Sequence, residues 1–269
     1  MTARSLCTGL FAALMAVTAF APVPGHAHDY WLQADDYHLV PGERLVIHLN
    51  MGEWLTVEEE KAHDVKRTER FELRLPDDVR DLAATTSDGV KPVFSDTLAS
   101  AGAFLFTMVR GAAQVEMPAD EFNQYLEHEG ITGVRSQRPT ERERYWRFLK
   151  LLGRVGAENE TDLHHRFTGA QFEIVLLQNP FTLQIGEEQI VQLLFDTKPL
   201  AGATVFAVHR TADGALTKFQ AATDARGVAR FTLTQPGTWL IRSVYLRPCK
   251  GCKDVDWESF WASYSFALE

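Results

Sequence analysis

The 269-residue chain holds 36 acidic against 27 basic residues, a formal charge of −9, with 45% hydrophobic residues. That balance argues against nucleic acid and anionic lipid as partners, and suits solubility or cationic partners such as metal ions. Beyond the first 27 residues no run is apolar for long enough to span a bilayer.

The chain opens as an export signal. Arg4 supplies the positive start, Leu6 to Ala21 is an apolar run too short for a membrane helix, and Pro22, Pro24 and Gly25 end it. Gly25-His26-Ala27 places small residues at the positions a signal peptidase reads, so cleavage is expected after Ala27. Ala19-Phe20-Ala21 is a second option, with Pro22 hindering the cut. Cys7 precedes the apolar core and is no lipobox cysteine. The remainder, starting at His28, is expected in the periplasm without membrane insertion. It is long enough for one large or two ordinary domains.

From His28 onward the dominant period is two. Leu45, Ile47, Leu49 and Met51 alternate with Arg44, Val46, His48 and Asn50. Phe71-Leu73-Leu75, Leu105-Thr107-Val109, Phe172-Ile174-Leu176, Val205-Ala207, Phe231-Leu233 and Trp239-Ile241 repeat the pattern, separated by turn sequences such as Pro41-Gly42 and Asp213-Gly214. Short alternating strands with regular turns predict antiparallel sandwiches. The middle differs. Pro118 suits a helix start and Gly130 its end, with Phe122, Tyr125 and Leu126 on one face. Thr140 and Glu143 fit a capping box, and Tyr145, Phe148, Leu149 and Leu152 recur at helical spacing. The fold class is therefore mainly β: two antiparallel β-sandwich domains with a short helical insertion. Residues 28–117 form the first, 118–169 the helical segment and a polar exposed loop, and 170–269 the second. The aromatic tail from Trp257 to Phe266 reads as a closing strand.

Two cysteines follow the leader, in Cys249-Lys-Gly-Cys252. In an oxidising compartment such a pair favours a local disulfide, with redox or metal chemistry as alternatives. His28 is the sharpest candidate for chemistry. As a first residue it offers an α-amine and an imidazole that can chelate one metal, and Asp29 can add a carboxylate. Nitrogen ligands suit Ni(II), Co(II), Cu(II) and Zn(II). Among the other histidines, His63 and the pair His164 and His165 lie in polar, unpatterned stretches and are second-tier ligands. His38 selects no role. His48 lies opposite an apolar strand face, His128 at a helix end, and His209 at a core edge. No nucleophile elbow, zincin, P-loop or dinucleotide motif occurs.

Several segments together resemble a known family. They are His28-Asp29-Tyr30-Trp31-Leu32, Pro41-Gly42-Glu43, Met51-Gly52-Glu53, Glu69-Arg70-Phe71-Glu72-Leu73, Glu116 to Phe122, Lys198 to Ala203, Thr223 to Gly227, Pro236 to Trp239 and Asp256 to Ser263. In this order and spacing they resemble a bacterial domain of unknown function labelled as the periplasmic component of ABC-type cobalt/nickel transport. The resemblance covers nearly all of the chain after the leader. It implies a secreted β-rich protein that handles nickel or cobalt, with an inner-membrane transporter as partner. Pro199 to Trp239 also resembles the prealbumin-like or carboxypeptidase-regulatory sandwich. Nothing reads as the βαβ lobes of a transporter's substrate-binding protein, so an accessory subunit is the expectation. Two further readings stand beside it. One is a copper-brace oxidative enzyme, which needs a second histidine beside His28. The other is a non-catalytic carrier or adhesion module.

Overall fold

A computed structural model describes residues 28–98, 100–157 and 160–269. The leader read at 1–27 and its cleavage site lie outside the described residues. In chain order the strands are β1 (Asp29–Ala34), β2 (His38–Leu39), β3 (Arg44–Glu53), β4 (Thr56–Lys61), β5 (Thr68–Arg74), β6 (Val79–Asp81), β7 (Phe94–Thr97) and β8 (Gly102–Pro118). Helix α1 (Ala119–His128) follows, then β9 (Thr140–Val155), β10 (Phe172–Leu176), β11 (Glu188–Phe195), β12 (Lys198–Pro199), β13 (Thr204–Arg210), β14 (Leu216–Ala222), β15 (Val228–Thr232), β16 (Gly237–Pro248) and β17 (Trp257–Leu268). The protein is mainly β, with sheets packed face to face as in a sandwich.

A nine-stranded sheet forms the centre, in the order β14-β13-β16-β17-β9-β8-β5-β6 with β2 beside β9. It takes strands from residues 28–117, from 118–169 and from 170–269. Most pairs are antiparallel, but β17 and β2 each run parallel to β9. One face of this sheet carries the sheet of β1, β3, β4 and β7, and the other carries that of β10, β11, β12 and β15. The alternation on β8 shows the arrangement. Phe104, Phe106 and Met108 enter the core under β3, while Leu105 and Val109 enter the core under β10 and β11. Both cores are aromatic-rich, so burial of apolar area is the main stabilising term.

The second helix expected from Thr140 to Gly153 is a strand. Leu149, Leu151 and Val155 face one core and Phe148 and Leu152 the other. A central strand covered on both faces has apolar side chains at both parities, which imitates helical spacing. Glu143 is thus no capping residue. It points at Ser259 on the neighbouring β17.

Helix α1 follows Pro118, its N-cap, and ends at a glycine stop. Ile131 N–H donates to Leu126 O at 2.8 Å and Gly130 N–H to Glu127 O at 3.1 Å, a Schellman closure with Gly130 at φ 63°. The closure fixes Glu129 at the helix end. Gly130→Ala is expected to cost about 1–2 kcal/mol through the left-handed backbone alone. The added Cβ would also meet Thr204 Cγ2 at 2.9 Å. A lowered denaturant midpoint with an unchanged slope checks it.

The polar stretch 157–169 is largely exposed among its described residues, as expected, apart from Leu163 and His164. Leu163–His165 makes a 3-10 turn with Leu163 in the core, and the Tyr264 hydroxyl donates to His164 O at 3.2 Å. Cys249 and Cys252 are joined by a disulfide in the turn between β16 and β17. Among the described residues no helix is long and apolar enough to cross a membrane.

Candidate functional site

The start of β1 lies between the β3–β4 hairpin, β9 and β16, and its residues point in different directions. His28 Nε2 is 2.8 Å from Glu58 Oε2, with both side chains partly exposed. Glu58 belongs to the acidic run on β4, where alternation presents Glu58 and Glu60 on one face. Glu60 meets His48 Nδ1 at 2.8 Å, and Asp35 meets His48 Nε2 at 3.0 Å. Burial opposes the charge of His48, but the two carboxylates prevail and raise its pKa above the usual histidine value.

Asp29 turns inward. Its Oδ1 is 2.6 Å from Arg242 Nε, and Arg242 Nη2 is 2.5 Å from Glu129 Oε2. Each of these three residues is at most 6% exposed. Burial pushes the Asp29 carboxyl up to about 6, against the pull of Arg242 and helped by Glu129. Desolvation also works against the Arg242 charge, but Asp29 and Glu129 hold its pKa above the ordinary value. Glu129 Oε1 accepts from His128 Nδ1 at 3.0 Å, and that bond raises the His128 pKa despite partial burial.

Trp54 lies over this network. Its ring is 4.7 Å from the Arg242 guanidinium carbon, 4.3 Å from Lys218 Nζ and 5.0 Å from the His128 ring. Trp54 and Leu55 form the tip of the β3–β4 hairpin at φ 52° and 63°, a turn in which asparagine and glycine are the usual residues. Such backbone costs of order 1–3 kcal/mol per residue. It is offset here because Leu55 packs with Trp31, Val208 and Leu240 while Trp54 stacks on Arg242. The same turn returns β4 along β3, where Gly52 is paired with both Asp29 and Val57, which brings Glu58 to His28. Arg147 Nη2 completes the support by donating to His28 O at 3.2 Å.

The five metal ligands read from the sequence do not share one site. Asp29 is committed to Arg242 and does not join the His28 imidazole, because successive strand residues face opposite ways. His63 is 1% exposed, packs near Phe71, and its Nδ1 is 3.2 Å from Ser87 O. His164 and His165 do come together, with Nε2 and Nδ1 at 3.2 Å. The 3-10 turn places both rings on one side, as a strand would not. Burial, followed by His165, lowers the His164 pKa. His209 is buried, with Nε2 2.9 Å from Pro236 O. Among the described residues, one group gathers three ligand-type atoms within 4.8 Å, namely Cys249, Cys252 and Glu258. As a disulfide, its sulfurs are not the thiolates that bind metal.

The sequence does not single out Glu58, Glu129, Arg147 or Arg242. Nothing local marks Arg242 as the partner of a residue more than 200 positions earlier.

The chain belongs to the family described as a domain of unknown function, DUF4198, whose model matches residues 25–247. No curated protein matches it. Among solved structures, a tetra-tandem repeat from the extending region of a large adhesion protein aligns at TM-score 0.24 and 10% identity, covering 90% of this chain and 50% of that one. The D0-D1 domain of intimin aligns at 0.22 and 13%, covering 89% and 98%. The chicken interferon gamma receptor alpha chain aligns at 0.20 and 10%, covering 79% and 86%. The chain spans half the length of the first of these. Scores at this level carry no argument about function.

Proposed function

We propose that this is an exported periplasmic accessory protein that captures a divalent transition cation, nickel or cobalt first, and passes it to an inner-membrane transporter. The observation behind the reading is His28 Nε2 held 2.8 Å from Glu58 Oε2, on a strand start anchored by Arg242 and Arg147. An imidazole beside a carboxylate at the protein surface is a pair of ligands suited to such ions. Cleavage after Ala27 adds an α-amine, whose ordinary pKa of about 7.7–8.0 lets a cation displace its proton near neutral pH. The segments shared with the cobalt/nickel-labelled family support the choice of metal. Copper and zinc suit the same donors.

His164 and His165 are a second locus for a cation. Two nitrogens on one tetrahedral ion at about 2.0–2.1 Å lie about 3.3 Å apart, close to the 3.2 Å between these rings.

Titration of the processed protein with Ni(II), Co(II), Cu(II) and Zn(II) tests the reading. Glu58→Gln, and separately one extra residue ahead of His28, are each expected to weaken nickel at least tenfold, about 1.4 kcal/mol. Unchanged affinity in both, with loss in His165→Asn, moves the site to the 3-10 turn. Absence of binding for all four metals leaves the carrier or adhesion reading instead.

A further inference from the structure

We propose that Arg67, Arg110 and Arg147 form a binding site for a small multivalent oxyanion, of the carboxylate, sulfate or phosphate class, between β5, β8 and β9. Arg110 and Arg147 are directly opposed across the β8–β9 ladder. Like charges in that position destabilise a sheet. They are 5% and 7% exposed, and among the described residues none of the three arginines has a carboxylate oxygen within 4.0 Å. Arg110 Nη1, Arg147 Nε and Arg67 Nε are buried N–H donors without a partner. Buried cations normally have an anion and a full set of acceptors, because desolvation costs several kcal/mol per ion.

The backbone converges on the same place. The β8–β9 register shifts between Arg110 and Ala113, and the β5–β8 register shifts between Thr68 and Arg70. Bulges of this kind re-aim side chains and gather beside functional sites. The β8 bulge carries Gly111, whose N–H donates to Arg67 O at 2.6 Å and whose O accepts from Arg67 Nη2 at 3.0 Å. Aromatic faces hold the cations in place. The Arg147 guanidinium carbon is 4.1 Å from the Tyr30 ring centre and 4.5 Å from that of Tyr145, and Arg110 lies 5.5 Å from Tyr30. Such contacts offset part of the repulsion but accept no hydrogen bond.

Asp64 acts on Arg110 and Glu143 on Arg147, and the Glu69 carboxylate lies over Gly111 in the bulge, beyond 4.0 Å from the three guanidiniums. Burial, then Arg67 and Arg147, depress the Arg110 pKa after Tyr30 is allowed for. Tyr145 reports the same excess of positive charge. Burial opposes ionisation of its phenol, yet Arg147, by charge and hydrogen bonding, and Arg67, by hydrogen bonding and charge, hold it below the ordinary tyrosine value. Tyr30, Tyr145 and Arg67 are half-buried, so the cluster reaches solvent on their side. Planar guanidiniums that each keep an unpartnered N–H donor match the oxygen acceptors of these anions.

The test uses the processed protein stripped of metal by chelation and then dialysed free of the chelator, which separates it from metal capture. Inorganic phosphate, sulfate and citrate are titrated at constant ionic strength against chloride, followed by thermal midpoint and calorimetry. At least one is expected to bind saturably, with a dissociation constant below about 1 mM. Arg147→Gln and the more exposed Arg67→Gln are each expected to weaken it at least tenfold while circular dichroism is unchanged. Ultraviolet titration of Tyr145, identified by difference from Tyr145→Phe, is expected to move up when the anion is bound. The proposal fails if no anion exceeds chloride, or if affinity and the Tyr145 titration are the same in both arginine variants.

Discussion

Replacing Arg242 with methionine is expected to lower stability by about 3–5 kcal/mol near pH 8, the usual cost of removing one partner from a buried ion network. The methionine chain fills much of the same space, so the loss is electrostatic rather than a cavity effect. It leaves Asp29 and Glu129 facing each other in a site from which water is excluded. Asp29, whose carboxyl burial pushes up to about 6 even beside Arg242, then reduces the cost by binding a proton, so the deficit shrinks as the pH falls towards that value. Denaturant melts at pH 5 and pH 8 check both the size and the trend. Arg242→Met combined with Asp29→Asn and Glu129→Gln is expected to recover most of the loss, because no uncompensated charge remains. Equal destabilisation of the single and triple variants would show instead that the guanidinium matters for packing under Trp54.

The same substitution connects stability to the proposed capture of metal. Asp29 is the residue next to His28, and its bond to Arg242 fixes the start of β1. Releasing it loosens the His28 imidazole relative to Glu58 and weakens any chelate formed there. The strained turn at Trp54 and Leu55 belongs to the same unit, since one side of it covers Arg242 and the other delivers β4. Rigid support of this kind is what a preformed site requires, because an ordered pair of ligands loses less entropy on binding.

How much of this was legible in the sequence depends on the range of the interaction. The alternation at Leu45-Ile47-Leu49 reports a local fact, one face in and one face out, and it marks a strand wherever only one face is covered. At Tyr145 to Leu152 the same code fails. β9 is covered on both sides, so Phe148 and Leu149 are both interior and the pattern fits a helix equally well. The run Glu58-Glu59-Glu60 gives no apolar period, and its strand is set by pairing to β3. His63 and His164 lie in polar stretches but are buried by tertiary packing against Phe71 and beneath Tyr264. The arginine cluster is further from view, since Arg110 and Arg147 come from two strands, Arg67 from the turn before a third, and they meet beside two register shifts. His28 was legible as a residue type after an expected cleavage site. Its carboxylate partner was not.

Glu143 carries the second large effect, and its sign runs against the usual carboxylate. Burial pushes its pKa up to about 7 from an ordinary 4.5, although the Ser259 hydroxyl and Arg147 both favour the charge. One carboxyl oxygen accepts from Ser259, and the other is buried without a partner. The folded protein therefore binds this proton more tightly than the unfolded chain does. Stability from this group is fully present below pH 4.5, declines between 4.5 and about 7, and is absent above that. A gap of about 2.5 pH units corresponds to about 3 kcal/mol. Glu143→Gln keeps the shape and an acceptor for Ser259 but cannot ionise. It is expected to be neutral at about pH 4.5 and to raise stability by about 3 kcal/mol at about pH 8.5, flattening the pH profile in between. Urea melts across that range decide it. A Glu143→Gln variant that is less stable than the parent at the alkaline end would mean that the carboxylate's attraction to Arg147 outweighs its desolvation.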